Sequence, residues 1–392
     1  MEPRTSTPVP YLHREIQARE ELGHTAVSPW LAALLTGVFL GMIVAVPLLQ
    51  PNPAEPFKEL AADRPLLDSI VRFEDRLEEE SWVVEDLLPP VQHFLTGVLG
   101  TGNEQVYPGR DGWLFYRPAV DSLTGPGFLD EDILDIRRLE VEPDPRPALL
   151  DLHSHLKDRG IRMVVLPVPV KAAVHPEKLT PREVRPPVRN ASWERFVQGL
   201  EREGIAVIDL APARPQYLAT DTHWTPDGME LAAKALAGWI RASVPLQGPE
   251  TVWQREERQV EGLGDLARML ELPPGQRLFL PQRVTVHPVS NWRPDPAAEV
   301  LILGDSYTNV FSRSDLGWGT GAGLAEQLAF HLRRPVDRIA MNAGGAWASR
   351  QALARELAAG RDRLAGKKVV IVEFSARELS VGDWRRIDLG ER

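Results

Sequence analysis

The chain has 392 residues, 43% hydrophobic and 26% charged, a composition ordinary for a globular protein able to bury a real core. It contains no cysteine, which excludes a disulfide, a thiolate nucleophile and a cysteine metal site. The net charge is −10 with no long Lys/Arg cluster, so the concentrated positive surface that phosphate binding needs is missing and no nucleic-acid partner is expected.

In chain order, residues 1–28 are polar and read as a cytoplasmic tail. Trp30 to Leu49, WLAALLTGVFLGMIVAVPLL, carries no charge. About 20 apolar residues are what a helix needs to cross a bilayer. A soluble helix of this length would normally show a polar face. A signal peptide has a shorter apolar core followed by a small-residue cleavage site. Residues 29–49 are therefore expected to be an uncleaved transmembrane anchor. Arg4, Arg14 and Arg19 before it, against Lys58 and Arg64 after it, lean toward an inside N-terminus.

PNPAEP (51–56) reads as a stiff spacer. Residues 57–99 are acidic, with Phe57, Leu60, Leu67, Ile70, Phe73 and Leu77 at roughly helical spacing, so a helical stalk or cap packed on the main domain is expected within 50–106. DGWLFY (111–116) is a turn followed by an aromatic-rich strand. Residues 117–147, rich in Pro, Gly and acid, read as a loop or insertion.

The main domain, 107–392, then alternates. Helices are expected at Leu150–Arg159, Trp193–Glu203, Met229–Arg241, Leu324–Leu332 and Arg350–Leu364. Strands are expected at Ile161–Val168, Ile205–Leu210, Val300–Leu303, Val336–Met341 and Val369–Phe374. Such alternation implies an α/β fold, a mostly parallel sheet with helices on both faces. In open parallel sheets, sites form beyond the carboxyl ends of the strands. Those ends carry Pro169 and Lys171, Ser306, Asn342 and Glu373.

Ser306 stands out because VLILGDSYTN breaks from four apolar residues straight into Gly-Asp-Ser. That is either a plain turn or a nucleophile on display, and the difference lies in whether a base is available. DTHWTPDG (221–228) offers one. Thr225 and Pro226 have the pattern of an N-cap and first helical residue, which sets His223 just before a helix. Asp221, two residues earlier on an extended segment, points the same way. A carboxylate there can hold the imidazole tautomer and stabilise the imidazolium, as a Ser-His-Asp relay requires. A lone D-x-H is also a common loop hydrogen bond; paired with a strand-end G-D-S it reads as catalysis. The nine histidines are scattered and H-E-x-x-H is absent, so no metal site is expected. GDSYTN lacks the second glycine of G-x-S-x-G, which disfavours an ordinary α/β-hydrolase elbow.

G-D-S with a downstream Asn resembles the SGNH hydrolases, in most of which the Asp and His follow the serine. Here DTHW precedes GDS. That permuted order resembles the alginate O-acetyltransferase AlgJ/AlgX group, also called DHHW proteins. The likeness runs through GNEQVYPGRDGWLFY (102–116), VVLPVPVKAAVHPEKL (164–179), DTHWTPDG, GLGDL (262–266), LILGDSYTN and VEFSARE (372–378). The uncharged segment makes the chain look more like AlgJ than the secreted AlgX. No C-terminal carbohydrate-binding module is expected.

The resemblance implies an SGNH hydrolase-like domain in which Ser306 accepts the acyl group, His223 is general base and acid, and Asp221 orients it. Asn342, in MNAGG, either donates to the oxyanion beside the Ser306 N–H or only makes a turn before Gly344 and Gly345. Lys171 holds an anionic sugar, holds its own loop, or is a solvated surface lysine. Of Trp113, Tyr116, Trp224, Trp292 and Trp347, the best candidate for stacking on a sugar is Trp224, beside His223.

The function this implies is a single-pass bacterial inner-membrane protein with its catalytic domain in the periplasm, moving an acetyl group through a serine acyl-enzyme onto exopolysaccharide hydroxyls. A multispanning membrane-bound O-acyltransferase would supply the acetyl group, and no metal or organic cofactor is expected. The rivals are a carbohydrate acetyl esterase with the same triad and a non-catalytic glycan-binding scaffold of an exopolysaccharide complex.

Overall fold

The computed structural model describes residues 28–48, 58–59, 65–79, 83–248 and 250–390. The expected tail before residue 28 and the PNPAEP spacer lie outside them. The chain divides into two compact units, 1–89 and 90–392.

In the first unit, Pro29–Leu48 and Leu66–Glu79 are helices. The side chains of the former are described only as far as Met42. Among the described residues no helix is long and apolar enough to cross a membrane. The span expected at Trp30–Leu49 is therefore not found in the structure.

The second unit holds nine strands among the described residues: β1 (Val106–Pro108), β2 (Leu114–Tyr116), β3 (Arg162–Val168), β4 (Ala206–Val207), β5 (Arg258–Gly262), β6 (Gln282–Val286), β7 (Val300–Gly304), β8 (Asp337–Ala340) and β9 (Val369–Ser375). Five form the central sheet in the order β4-β3-β9-β7-β8. Every pairing in it is parallel, from β3–β4 through β3–β9 and β7–β9 to β7–β8.

The last strand is thus the central one. β9 pairs with β3 from Arg162↔Val369 to Val168↔Ser375, and with β7 from Val300↔Val369 to Leu303↔Val372. Its sequence VVIVEFS is buried at every position, as expected of a parallel strand covered on both faces. Alternate residues feed two cores. Val164, Leu166, Ile302 and Ile371 pack with the helices Pro226–Ser243 and Leu324–Leu332. Val165, Leu301, Leu303, Val370 and Val372 pack with the helices Pro145–Asp158, Trp193–Arg202 and Ala348–Ala358.

Several local expectations change. The loop expected over 117–147 contains two helices, Arg117–Thr124 and Glu131–Arg137. Proline falls in the first turn of the former, where its missing N–H breaks no intrahelical bond. The helix expected at Leu150 starts at Pro145, with the Asp144 side chain accepting the Arg146 N–H at 3.0 Å. The strand expected at Ile205–Leu210 shrinks to Ala206–Val207. The helix expected to reach Leu364 ends at Ala358, before Gly360 at φ +76°. The antiparallel β5–β6 ribbon has no counterpart among the expected strands, because RQVEG and QRVTV lack a clean apolar alternation.

Candidate active site

The site sits at the carboxyl end of β7. The apolar strand stops at Gly304, and Asp305 fixes the turn beyond it. The Asp305 carboxylate accepts the Tyr307 N–H at 2.7 Å and the Ser375 N–H at 2.9 Å, capping the short helix Ser306–Asn309 and tying β7 to β9. The Asp305 N–H donates to Glu373 Oε2 at 3.0 Å, which also accepts the Thr308 hydroxyl at 2.6 Å. Burial, and then the Asp305 charge, push the Glu373 carboxyl well above the ordinary range. Gly304 is required here: a Cβ would lie 2.3 Å from Thr308 Oγ1 and 2.8 Å from Glu373 Oε2. Ser306 emerges from this turn half-buried.

His223 approaches from the segment between β4 and the helix Pro226–Ser243. The Thr225 side chain accepts the Gly228 N–H at 3.2 Å, the N-cap expected from T-P-D-G. The segment before it is bent rather than extended. Asp221 Oδ1 accepts the His223 backbone N–H at 3.0 Å, an Asx turn, and lies 2.7 Å from Nδ1 of the same residue. His223 Nε2 is 2.8 Å from Ser306 Oγ. The expected Ser306–His223–Asp221 set is therefore one hydrogen-bonded line. With Nδ1–H given to Asp221, Nε2 is left to accept the serine proton.

Asp221 is fully engaged. Its second oxygen accepts the Trp318 indole N–H at 2.8 Å and the Asp265 N–H at 2.9 Å. Four donors use the roughly four acceptor sites of a carboxylate. Burial would raise its pKa, but the His223 charge and these hydrogen bonds hold it well below the usual carboxylate range. For His223, burial alone would lower the pKa. The Asp221 charge and hydrogen bond, with Asp265 and Asp305 nearby, outweigh burial and raise it. Asp221, His223 and Asp265 each offer a potential ligand atom within 4.8 Å of one another. With the Asp221 lone pairs already engaged, the cluster fits a proton relay rather than a metal centre.

The other residues singled out from sequence behave differently. Trp224 is fully buried, packed edge-on against Tyr307 at 5.3 Å, so it is core and unavailable to a sugar. Tyr307 in turn lies 4.8 Å from the His223 ring and donates its hydroxyl to the Thr222 carbonyl at 2.9 Å. Asn342 braces loops: its Oδ1 accepts from Asn309 Nδ2 at 2.9 Å, and its Nδ2 donates to Asp315 at 3.4 Å. Those contacts favour the turn reading of Asn342 over an oxyanion donor.

Lys171 holds its loop. It is buried, with Nζ donating to the carbonyls of Leu114, Ala219 and Asp221 at 2.6, 2.8 and 3.1 Å, and it faces the Trp113 ring at 4.9 Å. Burial pushes its pKa down to about 7 against the pull of Asp221 and Asp265. Three acceptors around one nitrogen match the three donors of the ammonium form. Ala219 keeps the Leu114 N–H at 2.8 Å, so Lys171→Met should deprive the buried Leu114 and Asp221 carbonyls of this donor and cost about 2 kcal/mol, read as a lowered urea midpoint.

Sequence alone gave no role to Asp265, Trp318 or Tyr307. Asp265 lies inside GLGDL, and the glycine before it was the available signal. Gly264 has φ +89°, and a Cβ there would fall 2.2 Å from the Thr220 carbonyl oxygen, so only glycine lets this strap close on the Asp221 turn.

Residues 106–376 match the family described as SGNH hydrolase-like domain, acetyltransferase AlgX. The chain belongs to that family. Among curated relatives, the probable alginate O-acetylase AlgJ of Pseudomonas fluorescens is 30% identical over 219 residues, 53% of this chain and 52% of the relative. The alginate biosynthesis protein AlgX of Pseudomonas aeruginosa is 28% identical over 141 residues, 34% of this chain and 27% of the relative. The chain thus spans about half the length of the AlgJ relatives it matches. Among solved structures, the O-acetyltransferase domain of Pseudomonas putida AlgJ aligns with a TM-score of 0.54 at 26% identity, covering 71% of this chain and 93% of that one. Pseudomonas aeruginosa AlgX aligns at 0.50 and 20% identity, covering 70% and 65%, a likeness of fold.

Proposed function

We propose that this protein is an O-acetyltransferase that moves an acetyl group through Ser306 onto a hydroxyl of an acidic exopolysaccharide. The observation that carries the reading is the Ser306–His223–Asp221 line at a strand end of an SGNH hydrolase-like domain of the AlgX family. His223 Nε2 takes the Ser306 proton as Oγ attacks the acetyl carbonyl of the donor. The donor's leaving group takes that proton from His223 and departs, leaving acetyl-Ser306. A sugar hydroxyl then attacks the ester carbonyl while His223 accepts its proton. The Ser306–acetyl bond breaks, and the proton returns to Oγ. Asp221 stabilises the imidazolium in both halves. The Ser306 backbone N–H is our candidate oxyanion donor.

Although the structure shows no membrane span, the reading extends, from the uncharged sequence Trp30–Leu49, to a single-pass anchor in the bacterial inner membrane with the catalytic domain in the periplasm, and, from the family resemblance, to a multispanning membrane-bound O-acyltransferase as acetyl source. The names of the relatives support an alginate-like polymer. The test is to incubate the full chain in detergent with an activated acetyl ester and uronate or neutral oligosaccharides, followed by mass spectrometry. Acetylated sugar is the expected product. Free acetate alone would make it an esterase, and neither product would leave a binding scaffold.

A further inference from the structure

Asp265 brings a second carboxylate to the imidazole, and the acyl-transfer cycle leaves it unused. Its Oδ2 lies 3.8 Å from His223 Nδ1. Its Oδ1 accepts the Thr222 N–H at 2.7 Å, and its own N–H donates to Asp221 Oδ2 at 2.9 Å. The Ala267 N–H reaches the Thr220 carbonyl at 3.2 Å, so consecutive residues of the Asp221 turn are gripped by one short strap.

We propose that Asp265 is a positioning residue of the relay, clamping the Asp221–His223 turn and holding a second negative charge against the imidazole. The geometry separates its role from that of Asp221. Nδ1 carries one proton, and that proton is committed to Asp221 at 2.7 Å. At 3.8 Å Asp265 is beyond a hydrogen bond and acts on the ring through charge. Charge favours the imidazolium, the form that exists only while the proton is in transit. It does so by making the resting imidazole easier to protonate, so speed at high pH is gained at the expense of base available at low pH.

The groups facing the ring are few. Asp221 and Asp265 flank Nδ1, Ser306 meets Nε2, and the Tyr307 ring packs alongside. Asp305 adds a more distant negative charge. Lys171 reaches this turn at the Asp221 backbone carbonyl rather than at the ring. Asp265 is itself held above the usual carboxylate range by burial and then by Asp221, opposed by His223 and the bonds from Thr222.

This inference builds on the acyl-transfer reading, so the primary test reads the imidazole rather than turnover. The full chain, labelled with ¹⁵N-histidine, is titrated by NMR. In Asp265→Asn the backbone donor stays, a side-chain oxygen can still accept the Thr222 N–H, and the charge is gone. The His223 midpoint should fall by roughly one pH unit, the effect of removing an opposite charge at this range. Asp265→Ser is the second variant, should the first fail to fold, and should shift the midpoint the same way. In esterase assays, the acid limb should move down by the same amount while the high-pH plateau drops only several-fold. An unchanged His223 midpoint in a folded variant would overturn the proposal. A shifted midpoint in a chain that acetylates nothing would uphold it and count only against the transferase reading.

Discussion

Ser306→Ala is expected to abolish acetyl-enzyme formation, lowering the rate on an activated acetyl ester by on the order of 10⁵–10⁶. Among the described residues Ser306 Oγ is the hydroxyl on Nε2 of His223, and alanine leaves no atom to carry the acetyl group. The fold should barely notice. Ser306 is half-buried, and the turn that presents it is fixed by the Asp305 carboxylate and by Glu373, neither of which uses the serine side chain. One lost hydrogen bond is worth about 1 kcal/mol. Intact-protein mass spectrometry after exposure to the ester should show an acetyl adduct on the wild type and none on the variant, with thermal unfolding almost superimposed. If the adduct persists, the nucleophile lies elsewhere and G-D-S is only a turn. Adding His223→Ala to the serine variant should cost little more, because the members act as a unit.

Asp221→Asn is expected to be nearly as damaging and to differ in kind. A carboxamide has one oxygen where the carboxylate had two. It cannot accept from His223 Nδ1 and N, Trp318 Nε1 and Asp265 N at once. The amide NH₂ must face two of these donors, or the imidazole must take the wrong tautomer; in a serine protease that change costs on the order of 10⁴ in rate. Stranding buried N–H donors should also cost about 2–3 kcal/mol of stability, unlike the serine change. The pH dependence gives a second signature. The folded-state pKa of Asp221 is depressed, so its contribution to stability is present above the unfolded value near 4 and is lost as pH falls toward the folded one. Urea midpoints measured downward from pH 5 should therefore decline less steeply in Asp221→Asn. A variant that keeps wild-type turnover and the full acid sensitivity would remove Asp221 from the relay.

Much of this site was legible because its signals are local. VLILGDS announces a buried strand that stops, since β-branched and apolar residues in a short run favour a covered strand and Gly-Asp favours a turn. T-P-D-G marks a helix start through the hydrogen bond of Thr225, and D-T-H brings carboxylate and imidazole together within three residues. Even the failures of local reading are informative. The helices within 117–147 were masked by proline and glycine, and the β5–β6 ribbon by polar residues on both faces.

What the sequence determined by itself was the alternating elements of the central sheet, the family likeness and the three residues of the hydrogen-bonded line. Tertiary structure decided the rest, because contact across long separations depends on strand order and packing rather than on backbone preference. The separation of 83 positions from His223 to Ser306 is closed by the sheet, in which the last strand, β9, inserts beside β7 and anchors Asp305 through Glu373 and Ser375. Trp318, 97 residues from Asp221, and Asp265, 44 residues from it, complete a carboxylate that looked like one member of a simple D-x-H. The same packing withdrew Trp224 and Lys171 from any substrate. A tryptophan or a lysine has an apolar body and a polar tip, so its neighbours settle whether it faces solvent, and here a full apolar core and three backbone carbonyls claim them.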